Sequence, residues 1–113
     1  MTRIDDYRFG RIVVDGTGHD RDVIILPGEV VPNWWREQGH SLVTSDLDQV
    51  MDALPQHLII GTGAYGQMKP RAEALEDLRR KGVEVEVMKT DAAVRRYEEL
   101  DPKTTAAALH LTC

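Results

Sequence analysis

A glycine-rich loop between a predicted strand and a predicted helix is the part of this sequence best suited to bind a ligand. The loop Gly61-Thr62-Gly63-Ala64-Tyr65-Gly66 follows the apolar run 58–60, and a helical pattern begins at Pro70. Closely spaced glycines let backbone N–H groups approach a ligand, and the following helix adds unsatisfied donors and the positive end of its dipole. We therefore expect a pocket for a small anion or a small molecule here, with Lys69 and Arg71 available to balance negative charge.

The loop also matches the letters of the G-x-G-x-x-G dinucleotide fingerprint, but its surroundings argue against an NAD site. In that fingerprint the third glycine lies in the first helical turn, whereas here Gln67-Met68-Lys69 separate Gly66 from the helix. The acidic residue expected about 20 positions later would be Glu84 or Glu86, and both belong to the polar face of an alternating strand. We therefore expect no cofactor. The alternative that the glycines serve only a tight turn and close packing remains open.

The two tryptophans are adjacent, in a segment without core periodicity. Trp34 and Trp35 follow Pro32 and precede Arg36 and His40. Because a large aromatic ring covers much apolar area, at least one should be buried, and core packing of both is the simpler expectation. The alternative is that one of them lines a pocket or contacts a protein partner, where Trp and Arg contribute much of the binding energy. The candidate ligand-binding residues are Gly61, Thr62, Gly63, Ala64, Tyr65, Gly66, Lys69 and Trp34.

The histidines and the cysteine form no recognisable catalytic or metal-binding pattern. The histidines are His19, His40, His57 and His110, and His110-x-x-Cys113 would be only half of a metal site. We therefore expect no metal. A histidine can act as a general base only if folding brings the ring of His40, His57 or His110 to the glycine loop.

The composition narrows the class of protein. The chain has 113 residues and is predicted to form a single domain over residues 1–113. Its formal net charge of −5, with basic residues dispersed among acidic ones, argues against a nucleic-acid partner. The N-terminus lacks the basic and apolar regions of a signal peptide, and no apolar run approaches the ~18 residues of a membrane span. Cys113 is the one cysteine, so no internal disulfide can form, and together these features predict a soluble cytoplasmic protein without a membrane partner.

The periodicity of the apolar residues predicts an α/β fold. Predicted strands cover residues 8–15, 23–26, 58–60, 83–88 and 105–112, and predicted helices cover 45–54, 70–82 and 90–100. The alternating valines of 83–87 place that strand near a sheet edge, and Thr90 is expected to cap the last helix. Strands that alternate with helices imply parallel crossovers, while the first two strands are expected to pair antiparallel. We expect one three-layer domain with a mixed central β-sheet, an antiparallel N-terminal strand pair and about three helices.

Four short stretches, taken together, resemble a known family. They are Val31-Pro32-Asn33-Trp34-Trp35-Arg36 through Gly39-His40, Leu58-Ile59-Ile60-Gly61-Thr62-Gly63, Gly82-Val83-Glu84-Val85-Glu86, and Ala106-Ala107-Ala108-Leu109-His110-Leu111-Thr112-Cys113. In this order and spacing they are similar to the Mth-type domain of unknown function, the family of the adipogenesis-associated Mth domain protein and the mitochondrial respiratory complex I assembly factor three. The resemblance extends from Tyr7 to Cys113. It implies a three-layer α/β domain with a mixed central sheet and a surface cleft beside the Gly61–Gly66 loop.

The resemblance implies no established reaction. Members of the family differ in role, from assembly of a respiratory complex to signalling and growth effects, which is more typical of a recognition domain than of one fixed catalyst. The N-terminus shows no mitochondrial presequence. The free-standing cytosolic members are therefore the better comparison.

Two functional hypotheses follow. The first is a non-catalytic recognition, adaptor or assembly-type domain that presents the Gly61–Gly66 loop, Tyr65 and a tryptophan to a protein partner or a small anionic ligand. The second is an enzyme of small-molecule metabolism that uses the backbone N–H groups of the loop as an oxyanion or phosphate cradle. The expected pocket depends on exposed main-chain donors around Thr62 and Ala64. The sequence leaves a homo-oligomer open and identifies neither partner nor ligand.

Overall fold

The computed structural model describes residues 2–113. Within this range it has ten β-strands, two α-helices and two short 3₁₀ helices. The strands are β1 (Ile4–Arg8), β2 (Arg11–Val14), β3 (Thr17–His19), β4 (Val23–Leu26), β5 (Glu29–Val31), β6 (Ser41–Leu42), β7 (His57–Gly61), β8 (Lys69–Pro70), β9 (Glu84–Met88) and β10 (Thr105–Leu109). The α-helices are α1 (Ala72–Arg80) and α2 (Thr90–Glu98), and the 3₁₀ helices are Thr44–Leu47 and Met51–Ala53.

Five strands form the central sheet, in the order β5-β4-β10-β7-β9. Strand β10 lies in the middle, antiparallel to β4 and parallel to β7, and β7 is parallel to the edge strand β9. The predicted α/β fold with a mixed sheet is therefore confirmed. Strand β10 reads Thr-Ala-Ala-Ala-Leu and is buried along its whole length, because its small alanines let the elements on both faces pack closely.

A hydrophobic core covers each face of the central sheet. Side chains alternate between the two faces along β10, so Ala106 and Ala108 contribute to one core while Ala107 and Leu109 contribute to the other. Helix α1 and the 3₁₀ segment complete the first core. Helix α2 and the hairpin of β1 and β2 complete the second.

The N-terminal antiparallel strand pair is present, but its strands are not the two that the sequence suggested. The predicted strand 8–15 is divided at Gly10, which has a left-handed φ of +78°, and its halves belong to the antiparallel strands β1 and β2. Strand β3 extends this pair into a separate three-stranded sheet. The second predicted strand, Val23–Leu26, instead joins the central sheet as β4. Its continuous apolar run is buried on both faces, and only a strand covered on both sides can accommodate that pattern.

The expected third helix, over residues 45–54, is wrong. Two short 3₁₀ helices occupy this segment, with bonds from Asp46 N to Val43 O, Val50 N to Leu47 O and Ala53 N to Val50 O. In an α-helix the carbonyl of Asp46 would accept the amide of Val50. Here the indole Nε1 of Trp34 donates to that carbonyl at 2.9 Å. A side chain from another segment thus satisfies the group that an α-helical ladder would use, and the tighter i to i+3 pattern remains.

Both α-helices differ in detail from their predicted starts. Helix α1 begins at Ala72 rather than Pro70, because Lys69 and Pro70 pair with β6 as the parallel strand β8. Helix α2 begins at Thr90, but Lys89 is its N-cap and no side chain caps it, so the expected cap is wrong. Within residues 2–113, neither helix is both long and apolar enough to cross a lipid bilayer.

Candidate functional site

The glycine loop leaves β7 at Gly61, but its backbone amides already have partners. Four of them donate within the protein: Thr62 N to Met88 O (2.9 Å), Gly63 N to Thr90 Oγ1 (2.8 Å), Ala64 N to Thr112 O (2.6 Å) and Gly66 N to Gly63 O (3.2 Å). The expectation of exposed main-chain donors around Thr62 and Ala64 is therefore wrong. Strand β9, helix α2 and the segment after β10 accept the first three amides, and the loop itself accepts the fourth. A buried N–H group without a partner would be costly.

Two glycines of the loop are needed for close packing. A Cβ atom on Gly63, which has a left-handed φ of +104°, would overlap the carbonyl carbon of Cys113. A Cβ atom on Gly61 would lie 2.9 Å from Oγ1 of Thr90. That hydroxyl is fixed between strands, since it also donates to the carbonyl of His110 at 2.6 Å. The packing interpretation of the glycines is thus supported at these two positions.

Three large aromatic side chains are exposed near the segment 110–113. Tyr65 at the tip of the glycine loop is 65% exposed, Phe9 is 54% exposed and Trp35 is 76% exposed. The rings of Phe9 and Tyr65 lie 6.0 Å apart with a tilt of 44°. We call Phe9, Trp35 and Tyr65 the aromatic surface.

Thr112 connects the three parts of the aromatic surface. Its carbonyl accepts the amide of Ala64, at the loop tip. Its Cγ2 atom lies 3.9 Å from the position of a Cβ on Gly10, in the turn that carries Phe9. Thr112 also lines the same cavity as Trp35. The rings of Phe9 and Tyr65 therefore lie together beside Thr112, and Trp35 lines a cavity that the same threonine also lines.

The stretch of sequence that contains the loop has basic but no acidic side chains. Residues 58–72 contain no acidic side chain, although the whole chain has a net charge of −5. Lys69 and Arg71 in this stretch are both exposed. The side chain of Lys89 lies beside Gly66, with its Cγ 3.4 Å from the position of a Cβ on that glycine. This stretch thus differs in side-chain charge from the acidic chain as a whole.

Trp34 and Trp35 have opposite environments, as the sequence allowed. Trp34 is only 4% exposed, belongs to the first core and carries the Arg36 guanidinium 4.9 Å from its ring centre. Asn33, immediately before it, has a left-handed φ of +55°, which is uncommon for a residue other than glycine. The amide of Trp34 donates to the carbonyl of Asp22 at 2.8 Å and so fixes the tryptophan segment beside β4.

A largely buried cluster of Asp22, Arg36 and His110 lies next to the tryptophans. The Asp22 Oδ2 atom is 2.7 Å from Arg36 Nη1 and 2.8 Å from His110 Nδ1, and its Oδ1 accepts the amide of Leu111 at 2.8 Å. Arg36 Nη2 also donates to the carbonyl of Gly39 at 3.0 Å. Burial favours the neutral form of Asp22, but the hydrogen bonds from His110, Leu111 and Arg36 hold the pKa of this carboxyl below its ordinary value. Asp22 is therefore a carboxylate at neutral pH.

A surface cavity of about 470 Å³ lies between this cluster and the exposed indole. Its lining residues are Asp20, Arg21, Asp22, Asn33, Trp34, Trp35, His110 and Thr112. A second cavity of about 460 Å³ shares Asn33, Trp34 and Trp35 with it. Of the predicted site residues, Trp34 lines both cavities, whereas the glycine loop lines neither.

Two of the histidine rings contact carboxylates. His57 Nε2 is 2.6 Å from Glu86 Oε2, at the end of β7 opposite the loop. The ring of His110 contacts Asp22 and Arg36, and its carbonyl rather than its ring reaches the loop through Thr90. Among residues 2–113, no group of three or more His, Cys, Asp and Glu side chains is arranged to hold a metal ion.

Sequence reasoning selected Trp34, considered His110 only as a possible base or half of a metal site, and missed Asp22. In the antiparallel register of β4 and β10, Val23 lies opposite Leu109, so the residues that flank them, Asp22 and His110, face each other. In the sequence, a polar residue precedes one apolar strand and another follows a second apolar strand. That these two residues face each other can be recognised only when the pairing of the two strands is known.

The mixed sheet with a core on each face defines a small α/β domain, and a family comparison places it among known proteins. The chain belongs to the family described as protein of unknown function (DUF498/DUF598), whose profile matches residues 4–110.

Solved structures share this fold over nearly the whole chain. A conserved hypothetical protein of Pyrococcus horikoshii OT3 is 28% identical with a TM-score of 0.83, and the match covers 98% of this chain and 99% of that one. The protein MT938 is 23% identical with a TM-score of 0.76 over 100% of both chains. A Bordetella pertussis protein described as an Mth938-like domain is 22% identical with a TM-score of 0.74, covering 97% of this chain and 85% of that one. The resemblance to the Mth-type domain of unknown function is therefore confirmed.

Proposed function

We propose that this chain is a non-catalytic recognition domain that binds a segment of a protein partner through its aromatic surface. The observation that carries the proposal is the exposure of Phe9, Trp35 and Tyr65 around one segment, which accounts for three of the six aromatic residues of the chain. Large exposed apolar patches mark interaction sites, and aromatic side chains contribute strongly to the energy of protein interfaces. In this proposal residues 1–113 act as a single domain in the cytoplasm.

The charge near the loop favours an acidic partner segment. Lys69, Arg71 and Lys89 are exposed in or beside a stretch without acidic residues. A partner that supplies an apolar side chain to Tyr65 and carboxylates to these cations would match both features of the surface. Complementary charge raises the association rate and the specificity of such a contact, and salt weakens it.

The loop residues have two roles in this proposal. Tyr65 and Lys69 contact the ligand, while Gly61, Thr62, Gly63, Ala64 and Gly66 hold the loop in the shape that exposes them. Trp34 fixes the segment that presents Trp35. Binding of a small anion at the loop has less support. The backbone amides already have acceptors, so side chains such as Lys69 would have to bind the anion instead.

An enzyme that uses the loop as an oxyanion or phosphate cradle has less support. That reaction needs free amide donors and a base, and the rings of His57 and His110 are held by Glu86 and Asp22 instead. The third candidate base, His40, is exposed, and it contacts the segment after the loop through its carbonyl, which accepts the amide of Lys69. The two alternatives differ in their response to inorganic phosphate. A cradle saturated to 100 times its Kd would raise the free energy of unfolding by about 2.7 kcal/mol, whereas the recognition proposal expects no change.

Selection from a displayed peptide library tests the proposal, because it requires no identified partner. We expect the wild-type domain to enrich peptides that combine acidic residues with an aromatic or aliphatic side chain. The Tyr65→Ala variant should bind the selected peptides at least about tenfold more weakly, since loss of a central aromatic contact costs more than about 1.4 kcal/mol. The Lys69→Glu variant should also bind more weakly, and most of that difference should disappear in high salt.

The chain offers a charge-matched control for this experiment. Lys103 is exposed and precedes β10, at the end of that strand opposite the loop, so Lys103→Glu changes the net charge equally at a remote position. Lys103→Glu should bind the selected peptides like the wild type. Enriched peptides without acidic residues, or equal binding by the Tyr65→Ala variant, would refute the proposal. Sedimentation of the free domain shows whether a second copy occupies the same surface.

A further inference from the structure

Beside the cavity lined by Asp22 and His110 there is a buried nitrogen atom that plays no part in the proposed protein contact. The side chain of His110 is only 9% exposed, and its Nε2 atom is buried without a hydrogen-bond partner among residues 2–113. Buried polar atoms are nearly always paired, and the residue that carries this unpaired nitrogen lines the cavity. The nitrogen is therefore available to a ligand whose polar group reaches it from the cavity.

Asp22 determines whether His110 Nε2 donates or accepts a hydrogen bond. The carboxylate lies 2.8 Å from His110 Nδ1, and an ionised oxygen at that distance requires a proton on Nδ1. The Arg36 guanidinium, 3.0 Å from the same nitrogen, cannot then donate to it and instead occupies Asp22 and the carbonyl of Gly39. In the neutral ring, Nε2 therefore carries a lone pair and accepts a hydrogen bond.

The charges around the cavity compensate one another. Arg36 neutralises Asp22 through a 2.7 Å ion pair. The two exposed charged residues of the lining, Asp20 and Arg21, are opposite in sign. A ligand with a net charge would gain little in this cavity, so its electrostatics favour an uncharged molecule.

The tryptophan segment supplies an apolar wall. Trp35 is 76% exposed at the cavity, and Trp34 beside it is held by the core and by its bond to Asp22. Asn33 keeps a left-handed backbone just before them, a conformation that is retained at sites where the chain must present side chains in a particular direction. A planar molecule can pack against the exposed indole.

We propose that this cavity is a binding site for a small, uncharged, planar molecule that carries an O–H or N–H donor. The donor bonds to His110 Nε2, and the ring of the ligand packs against Trp35. The cavity of about 470 Å³ lies in the size range of small-molecule sites. Because Nε2 has almost no exposed surface, the cavity wall must shift slightly to admit the donor, and the exposed indole of Trp35 is the part that moves most easily.

Phenol and anisole are matched probes for this site. They differ by one methyl group on the oxygen, so phenol donates a hydrogen bond and anisole does not. We expect saturable changes in the NMR signals of the Trp35 indole and the His110 ring on addition of phenol. Phenol should bind about fivefold more tightly than anisole, the factor that corresponds to one hydrogen bond of about 1 kcal/mol. The ¹⁵N signals of His110 should show the proton on Nδ1 in the free protein and a change at Nε2 with phenol.

Three single-residue variants test where phenol binds. Trp35→Ala, at an exposed position where folding is not at risk, should weaken phenol binding about fivefold or more. Tyr65→Ala removes another exposed aromatic ring that does not line the cavity, and it should leave phenol binding unchanged. His110→Phe should abolish the difference between phenol and anisole. If this variant does not fold, the ¹⁵N signals of His110 in the wild type provide the same information.

Three results would overturn the proposal. The first is a proton on Nε2 in the neutral ring of His110, because that nitrogen would then be a donor. The second is equal affinity for phenol and anisole. The third is phenol binding that Tyr65→Ala reduces and Trp35→Ala does not, which would assign the probe to the pair of Phe9 and Tyr65 rather than to the cavity.

Discussion

The amide of Gly63 donates a 2.8 Å hydrogen bond to Oγ1 of Thr90, and this hydroxyl in turn donates to the carbonyl of His110 at 2.6 Å. One buried hydroxyl thus joins the glycine loop, the first turn of α2 and the residue after β10. It explains why the amide of Gly63 is not free to bind an anion. It also explains how the loop can hold Tyr65 exposed in a fixed position.

The first prediction concerns this hydroxyl. Thr90→Val keeps the shape of a fully buried side chain but leaves the Gly63 amide and the His110 carbonyl without partners. We expect the free energy of unfolding to fall by about 2–4 kcal/mol in urea denaturation. Thr104→Val at an exposed position is the control and should change it by less than about 0.5 kcal/mol. Similar small changes for both variants would show that the two hydrogen bonds of the Thr90 hydroxyl contribute no stability.

The second prediction separates packing from backbone strain in glycine substitutions. Gly63 and Gly16 both have left-handed φ angles, +104° and +80°, but only at Gly63 would a Cβ meet neighbouring atoms. Gly16→Ala should cost about 1–2 kcal/mol from backbone strain alone. Gly63→Ala adds the overlap with Cys113 and should cost at least about 2 kcal/mol more. Equal losses in chemical denaturation would mean that the loop relaxes freely around residue 63.

The sequence predicted the fold class well because the strongest patterns were local. The apolar runs of β4 and β7, the alternation in β9 and the amphipathic α1 each signal an element by themselves. The helix expected over residues 45–54 failed for a non-local reason. The bond from Trp34 to the Asp46 carbonyl joins two segments whose proximity no local pattern reveals. Thr90 likewise has the residue type of a helix cap, but hydrogen bonds with Gly63 and His110 use its hydroxyl.

The third prediction concerns the buried ion pair. Arg36→Leu leaves the largely buried carboxylate of Asp22 without its cationic partner and should reduce the free energy of unfolding by about 3–5 kcal/mol. Arg80→Leu removes an arginine whose side chain is 72% exposed and which pairs with Asp77. This control should cost less than about 1 kcal/mol. A small effect of Arg36→Leu in urea denaturation would contradict the assigned role of the cluster.

The fourth prediction is a dependence of stability on pH. The pKa of Asp22 is lower in the folded than in the unfolded protein, so its stabilising effect is present above the unfolded pKa of about 4 and is lost as the pH falls through the folded pKa. The stability of the wild type should therefore decline on acidification below about pH 4 more steeply than that of Asp22→Asn. Asp48→Asn, at an exposed position, should follow the wild-type slope. Parallel slopes for wild type and Asp22→Asn would contradict the prediction.

The candidate site was only partly readable from the sequence. Tyr65 and Trp34 were selected for their residue types, which indicate apolar contact but not whether the ring is exposed. The amides around Thr62 were wrongly expected to be free because their acceptors, Met88 and the residues after β10, are distant in sequence. The pairing of Asp22 with His110 depends on the register of β4 and β10, and such register is a property of the assembled sheet.

The aromatic surface carries the proposed function, and mapping a selected acidic peptide onto the domain by NMR is its sharpest test. We predict that the largest changes in signals occur at Phe9, Trp35, Tyr65 and Lys69, and that Tyr65→Ala removes them while Lys103→Glu does not. Changes concentrated instead on α1 or on the outer strand β5, with the signals of Tyr65 and Phe9 unmoved, would show that the partner binds elsewhere and that the proposed function is wrong.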